Sequence, residues 1–196
     1  MNNEPVDNGR RKFLTITTSV VGAVGVVAIA VPFVSSWSPS EKAKAAGAPV
    51  SVDFSKIQVG QLIRVEWRGK PVWIVSRSKD TLDNLKIISD KLRDPTSIED
   101  QQPKYAQNTF RSIKPSIFVA VGICTHLGCS PTYLPESFSE KAKGVKSGFF
   151  CPCHGSKFDL AGRVFRNVPA PLNLVIPPYY YKSDTEILIG LDSGDA

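Results

Sequence analysis

The sequence is short of four things. It has no internal repeat, a single long apolar run, no marked excess of either charge, and only two histidines and four cysteines among 196 residues. A chain of this length cannot hold two full catalytic domains with separate cores, so one compact unit with an appendage is expected. One apolar run excludes a polytopic membrane protein. With 42% hydrophobic residues, and 14 glycines against 15 prolines, the composition also excludes a disordered chain and a collagen. The net charge is +6, yet from position 50 onward 19 basic and 15 acidic side chains are interspersed. That balance is ordinary for solubility, and nucleic acid is not an expected partner. The scarcest side chains are also the most clustered. Both histidines and all four cysteines fall between Cys124 and His154, which calls for a common cause.

From Phe13 to Ser40 there is no charge, and Phe13 to Val34 is the most apolar part. At about 1.5 Å rise per residue, that part makes roughly 33 Å of helix, enough to cross a hydrocarbon core of about 30 Å. The stretch also exceeds the h-region of an ordinary secretory signal. Residues 13–34 therefore read as a transmembrane anchor, with cleavage in the Ala-rich stretch Lys42 to Ala48 as the alternative. Immediately before it stands Gly9-Arg10-Arg11-Lys12-Phe13-Leu14, whose cations place residues 1–12 on the cytoplasmic side and the rest outside. The same segment resembles a twin-arginine export signal, which carries a folded domain across the membrane. After Trp37, Ser38 to Pro49 has small residues and no apolar stripe, so residues 35–49 read as a flexible tether.

Residues 50–196 read as an all-β, β-rich head domain: short runs of Val, Ile, Trp, Phe and Tyr are separated by turn residues. Leu62 to Trp67 and Lys70 to Arg77 flank Arg68-Gly69 as a hairpin. Further strands are expected at Ser51 to Phe54, Ile117 to Ile123, Gly148 to Phe150 and Val164 to Arg166, and Tyr179 to Lys182 is expected to pair with Glu186 to Gly190. Leu82, Leu85, Ile88 and Leu92 recur every three or four residues, which predicts one short helix insertion stopped by Pro95. Residues 94 to 116 read as polar and irregular. Pro177-Pro178-Tyr179-Tyr180 matches a short ligand motif but enters a strand, so its tyrosines read as structural. Lys141, Lys143 and Lys146 read as a solvated face.

The chemistry lies in Cys124-Thr125-His126-Leu127-Gly128-Cys129 and Cys151-Pro152-Cys153-His154-Gly155-Ser156. Three readings compete. A structural zinc site ordinarily brings a close cysteine pair and then a close histidine pair, which this spacing fits poorly. A cysteine nucleophile with a histidine base leaves two matched motifs unexplained. The third is a [2Fe-2S] cluster in which two histidines replace two cysteines on one iron.

Together, CTHLGC and CPCHGS resemble the Rieske iron-sulfur subunit of the cytochrome bc1 complex, bacterial type. The resemblance extends to the anchor, the tether, the β-rich head and the late segment Pro169-Ala170-Pro171-Leu172-Asn173-Leu174, with the cluster-binding part at about 117–175. It implies that Cys124 and Cys151 hold the inner iron and His126 and His154 the outer one, while Cys129 and Cys153 form a disulfide. It further implies that His154 meets the quinol, and that Leu127 and Gly128 shape the docking tip. The same resemblance implies that Ser156 hydrogen-bonds the cluster and that Pro169, Ala170 and Pro171 cover it. Many members of the family have tyrosine where this chain has Phe158, so one donor to sulfur is missing and a lower potential follows.

The resemblance also implies the activity of ubiquinol-cytochrome c reductase. By that resemblance, the chain accepts one electron, with a proton, from ubiquinol at the quinol oxidation site and passes the electron to cytochrome c1, in support of respiratory proton translocation. Partners are the cytochrome b and cytochrome c1 subunits in a dimeric complex, with the head periplasmic and the anchor in the bacterial inner membrane. Two alternatives of other classes are the small Rieske subunit of a molybdenum oxidase, ordinarily peripheral, and a soluble Rieske ferredoxin, which usually lacks the extra cysteines and the anchor.

The donor types suit this chemistry. Two thiolates neutralise an oxidised two-iron, two-sulfide core, whereas four would leave it doubly negative, so an electron enters the mixed site more readily. Such centres as a class lie at about −150 to +300 mV, against about −400 mV for plant-type ferredoxins. Each imidazole also keeps a second ring nitrogen that can carry a proton.

Overall fold

The computed structural model describes residues 7–192, in two units, one on each side of Ala45–Ala46. Residues 1–6, the start of the segment read as cytoplasmic, lie outside the described residues.

The first unit holds helix α1 (Asn8–Ser35), capped by Asp7, whose side chain accepts from the N–H groups of Gly9 and Arg10. It is long and apolar enough to cross a membrane. The hydroxyls of Thr15 and Thr18 donate to the carbonyls of Arg11 and Leu14 one turn earlier, which masks part of its polarity. Within the stretch read as a tether, Glu41–Ala46 forms one short helix, α2. Its alanines and lysines are good helix formers once a serine caps the start, and Ser40 Oγ accepts from the Ala43 N–H.

The second unit contains three three-stranded antiparallel sheets. In the first, β1 (Val50–Asp53) pairs with β9 (Glu186–Ile189), which pairs with β8 (Tyr179–Tyr181). In the second, β2 (Leu62–Trp67) pairs with β3 (Lys70–Ser76), which pairs with β4 (Ile117–Val121). The third is β5 (Thr132–Leu134), β6 (Gly148–Phe150) and β7 (Lys157–Asp159). Arg68 and Gly69 both adopt positive φ, the requirement of a two-residue turn whose twist matches its strands. That chemistry made the β2–β3 hairpin legible in the sequence.

Strands β3 and β4 are buried on both faces along most of their length, and Trp73 is the centre of the core. Its ring stacks on Phe149 of the third sheet at 4.9 Å, which ties the second sheet to the third. Gly122 follows β4 because nothing larger fits: a Cβ there would lie 2.2 Å from the Trp73 ring. The chain leaves the sheet at this point.

Three local expectations change. The predicted helix is α3 (Lys79–Ile87), capped by the Ser78 hydroxyl, followed by a 3-10 turn at Ser89–Lys91. It stops well before Pro95, because Leu92 leaves to bridge Phe165 and Arg166 claims the carbonyls of Lys91 and Leu92. Val164 to Arg166 is not a strand. Val164 bridges Phe158 on one side and Phe165 bridges Leu92 on the other, so no ladder forms. Strands β5 and β7, three residues each, were not predicted, being too short to show alternation. A second apolar cluster under α3 gathers Leu85, Ile88, Leu92, Phe138, Val145, Ala161 and Phe165.

Candidate metal centre

The two motifs occupy two loops. The first leaves β4 at Gly122 and runs to β5; the second joins β6 to β7 across Cys151–Ser156. Both close on themselves in the same way. The Cys124 N–H donates to the Cys129 carbonyl at 2.7 Å and the Gly128 N–H to the Cys124 carbonyl at 3.0 Å. In the second loop, the Cys151 N–H donates to the Ser156 carbonyl at 2.8 Å and the Gly155 N–H to the Cys151 carbonyl at 2.9 Å. Gly128 and Gly155 adopt φ of 83° and 78°, a region that side chains disfavour.

Cys129 and Cys153 are joined in a disulfide between the loops. Cys124 and Cys151 are free and buried. The sulfurs of Cys129, Cys151 and Cys153 lie within 4.8 Å of one another, but two of them belong to the disulfide, so of these three only Cys151 keeps a thiol to offer. The rings of His126 and His154 meet edge to face at 4.7 Å. His126 is half-buried and His154 exposed. Sulfur donors thus lie inside and nitrogen donors at the rim.

Burial pushes the Cys124 thiol above its ordinary range and the adjoining Cys151 adds to the rise, while the His126 N–H and the Ser156 hydroxyl pull it back. A cationic metal centre offsets that cost to the Cys124 thiolate. Two such thiols and two imidazoles, brought together from two loops, are the donor set of a histidine-ligated [2Fe-2S] cluster.

A third loop is fastened to both. The fully buried Ser156 hydroxyl accepts from the Ala170 N–H at 3.0 Å, and the Thr125 hydroxyl donates to the Leu172 carbonyl at 2.6 Å. Pro169 and Pro171 flank the buried Ala170 and are exposed. Leu127 is 71% exposed beside Gly128, an apolar side chain standing free at the tip. Phe158 is fully buried in β7, its backbone paired with Phe149. Sequence reasoning passed over Thr125, although it lies inside the first motif. It also passed over Asn173, whose Oδ1 accepts from the Val164 N–H at 2.8 Å and anchors the far end of the proline segment.

Residues 92–178 match the model of the Rieske [2Fe-2S] domain, and residues 1–40 match the model described as "Ubiquitinol-cytochrome C reductase Fe-S subunit TAT signal". Fold, donor set and family model define a Rieske [2Fe-2S] protein. The chain is 58% identical over 197 residues to the ubiquinol-cytochrome c reductase iron-sulfur subunit of Allochromatium vinosum, covering 100% of this chain and 95% of that one. The protein of the same name in Bradyrhizobium diazoefficiens is 43% identical over 181 residues, covering 92% and 94%. A chain of a solved hyperthermophilic respiratory Complex III aligns at 28% identity and TM-score 0.47, covering 88% and 98%. The chain belongs to the family of ubiquinol-cytochrome c reductase iron-sulfur subunits.

Proposed function

We propose that this chain works as the iron-sulfur subunit of a cytochrome bc1 complex, with cytochrome b and cytochrome c1 as neighbours in a dimeric assembly. The complex, rather than this chain alone, is the enzyme. Cys124 and Cys151 would hold one iron of a [2Fe-2S] cluster and His126 and His154 the other, and the cluster would supply a one-electron carrier between ubiquinol and cytochrome c1, in support of respiratory proton translocation.

The chain's own residues do the rest. The exposed ring of His154, through the nitrogen that does not bind iron, accepts a hydrogen bond from the quinol hydroxyl and takes its proton. Leu127 and Gly128 form the surface that meets the quinol site. Ser156 donates to sulfur and so favours the more negative, reduced state. Pro169, Ala170 and Pro171 exclude water from one side. Residues 13–34 anchor the chain in the bacterial inner membrane in a single pass, with residues 1–12 cytoplasmic, 35–49 a hinge and the head at 50–196 periplasmic. An oxidising compartment outside the membrane suits the Cys129–Cys153 disulfide.

The observation that carries this reading is the pairing of two buried free thiols with two rim imidazoles across a disulfide-clamped pair of loops. The test is an EPR redox titration of the membrane-bound chain at several pH values, with and without a quinol-site inhibitor. A signal that responds to both supports the reading, and one indifferent to both refutes it.

A further inference from the structure

The head buries three arginines. Arg77, Arg111 and Arg163 are 3%, 0% and 0% exposed, and a buried guanidinium is costly unless its donors are met. Arg163 has a carboxylate: its Nε lies 2.8 Å from Asp159 Oδ2, both side chains fully buried. The other two are in no ion pair, although the charge of Asp159 acts on both. Arg77 donates to the carbonyls of Pro115, Phe110 and Leu160 and to Ser112 Oγ. Arg111 donates to Gln102 Oε1 and to the carbonyls of Ala161 and Leu174. Asp94 lies near Arg111, but it is half-buried and its oxygens accept from the N–H groups of Ile98 and Glu99.

All three arginines meet at the turn Asp159–Arg163, which leaves β7. Asp159 stands three residues after Ser156, roughly 10 Å at strand rise. On the other side, the Leu174 carbonyl that accepts from Arg111 lies two residues beyond Leu172, whose carbonyl accepts from Thr125. Arg111 is therefore tied through Leu174 to the segment that Thr125 of the first loop holds, while Arg77 reaches the turn from the end of β3 that pairs toward Ile117, away from Gly122. Arg111 is also held at φ 48°, which a side-chain-bearing residue adopts at a cost. Burial pulls Arg77 down to about 9 and Arg111 to about 10, so both remain ionised at neutral pH.

We propose that Arg111, buried outside any ion pair and tied to the first loop, raises the reduction potential of the cluster as a fixed positive charge, with Arg77 as a more distant one. The inference rests on the cluster assignment above. The arginines exchange neither electron nor proton; they bias a one-electron reduction whose electron comes from the quinol. A unit charge roughly 12 Å away, at an effective dielectric of about 20, shifts a one-electron equilibrium by about tenfold. Because the groups are buried, added salt screens the effect poorly.

The experiment compares full-length, cluster-loaded parent, Arg77→Gln, Arg77→Lys, Arg111→Gln, Arg111→Lys and Asp159→Asn. Midpoint potentials are read by EPR titration at low and high salt, with thermal unfolding measured alongside. Arg111→Gln is expected to disfavour reduction by about tenfold and Arg77→Gln by less, each lysine variant to stay near the parent, and Asp159→Asn to favour reduction. Should glutamine and lysine variants shift alike, or melt earlier at unchanged potential, the arginines are braces of the turn and the inference falls. If the glutamine variants take up no cluster, Asp159→Asn decides by sign, and an unchanged or lowered potential overturns the inference. A parent chain without an iron-sulfur spectrum would instead refute the cluster assignment itself.

Discussion

The two ligand loops share a backbone and differ in what they hang on it. Each has cysteine first and positive-φ glycine fifth, and each closes through the same pair of N–H to carbonyl bonds. Histidine, however, is third in one and fourth in the other. The disulfide cysteine is sixth in the first loop and third in the second, where Ser156 takes the sixth place. Cysteine and glycine thus make the frame, while the intervening positions choose which side chains face the rim. The outer face follows the same division, with Leu127 exposed in the first loop and His154 in the second.

Substitutions can break that comparison. On the proposed ligand set, His126→Ala and His154→Ala should each abolish the Rieske EPR spectrum; a normal spectrum in one of them would take that residue out of the set. Cys153→Ser unclamps the loops without touching a thiol ligand. Thermal unfolding should show a loss of about 2–4 kcal/mol, the usual worth of such a cross-link, and a loss below about 1 kcal/mol would mean the loops hold each other without it.

Smaller effects sharpen the comparison. A Cβ at Gly128 or Gly155 meets nothing within 4 Å, so alanine at either adds only backbone strain. The two variants should lose nearly equal stability, about 1 kcal/mol each, and unequal losses would show that the frames are not equivalent. Smallest is the change expected from Phe158→Tyr, which adds a donor near the second loop. EPR titration should show a modest rise in midpoint potential, and an unchanged or lower value would count against a bond to sulfur.

Legibility in the sequence followed the range of the forces involved. Arg68-Gly69, the aromatic strand runs and the Cys/His spacing are local signals; β2, β3 and β6 lie where they predict, and the two Cys/His motifs fall in loops. Arg111 lies in a stretch that reads as polar and irregular, yet its partners Ala161 and Leu174 are 50 and 63 residues away. No local pattern announces such a partner. The early end of α3 and the lone bridges of Val164 and Phe165 likewise depend on Leu92 and Phe165 meeting across the chain. The lysines at Lys141 and Lys143 are exposed, as a solvated face requires, while Tyr179 is fully buried and its hydroxyl accepts from the Ile113 N–H.

The bond from the Ala170 amide to Ser156 has a practical consequence. That amide is sealed from solvent and held by a single side chain of the second loop, so its deuterium uptake is a clock for the opening of that loop alone. Slow labelling would mean the cover lifts only when the whole head unfolds, and fast labelling would mean it breathes on its own.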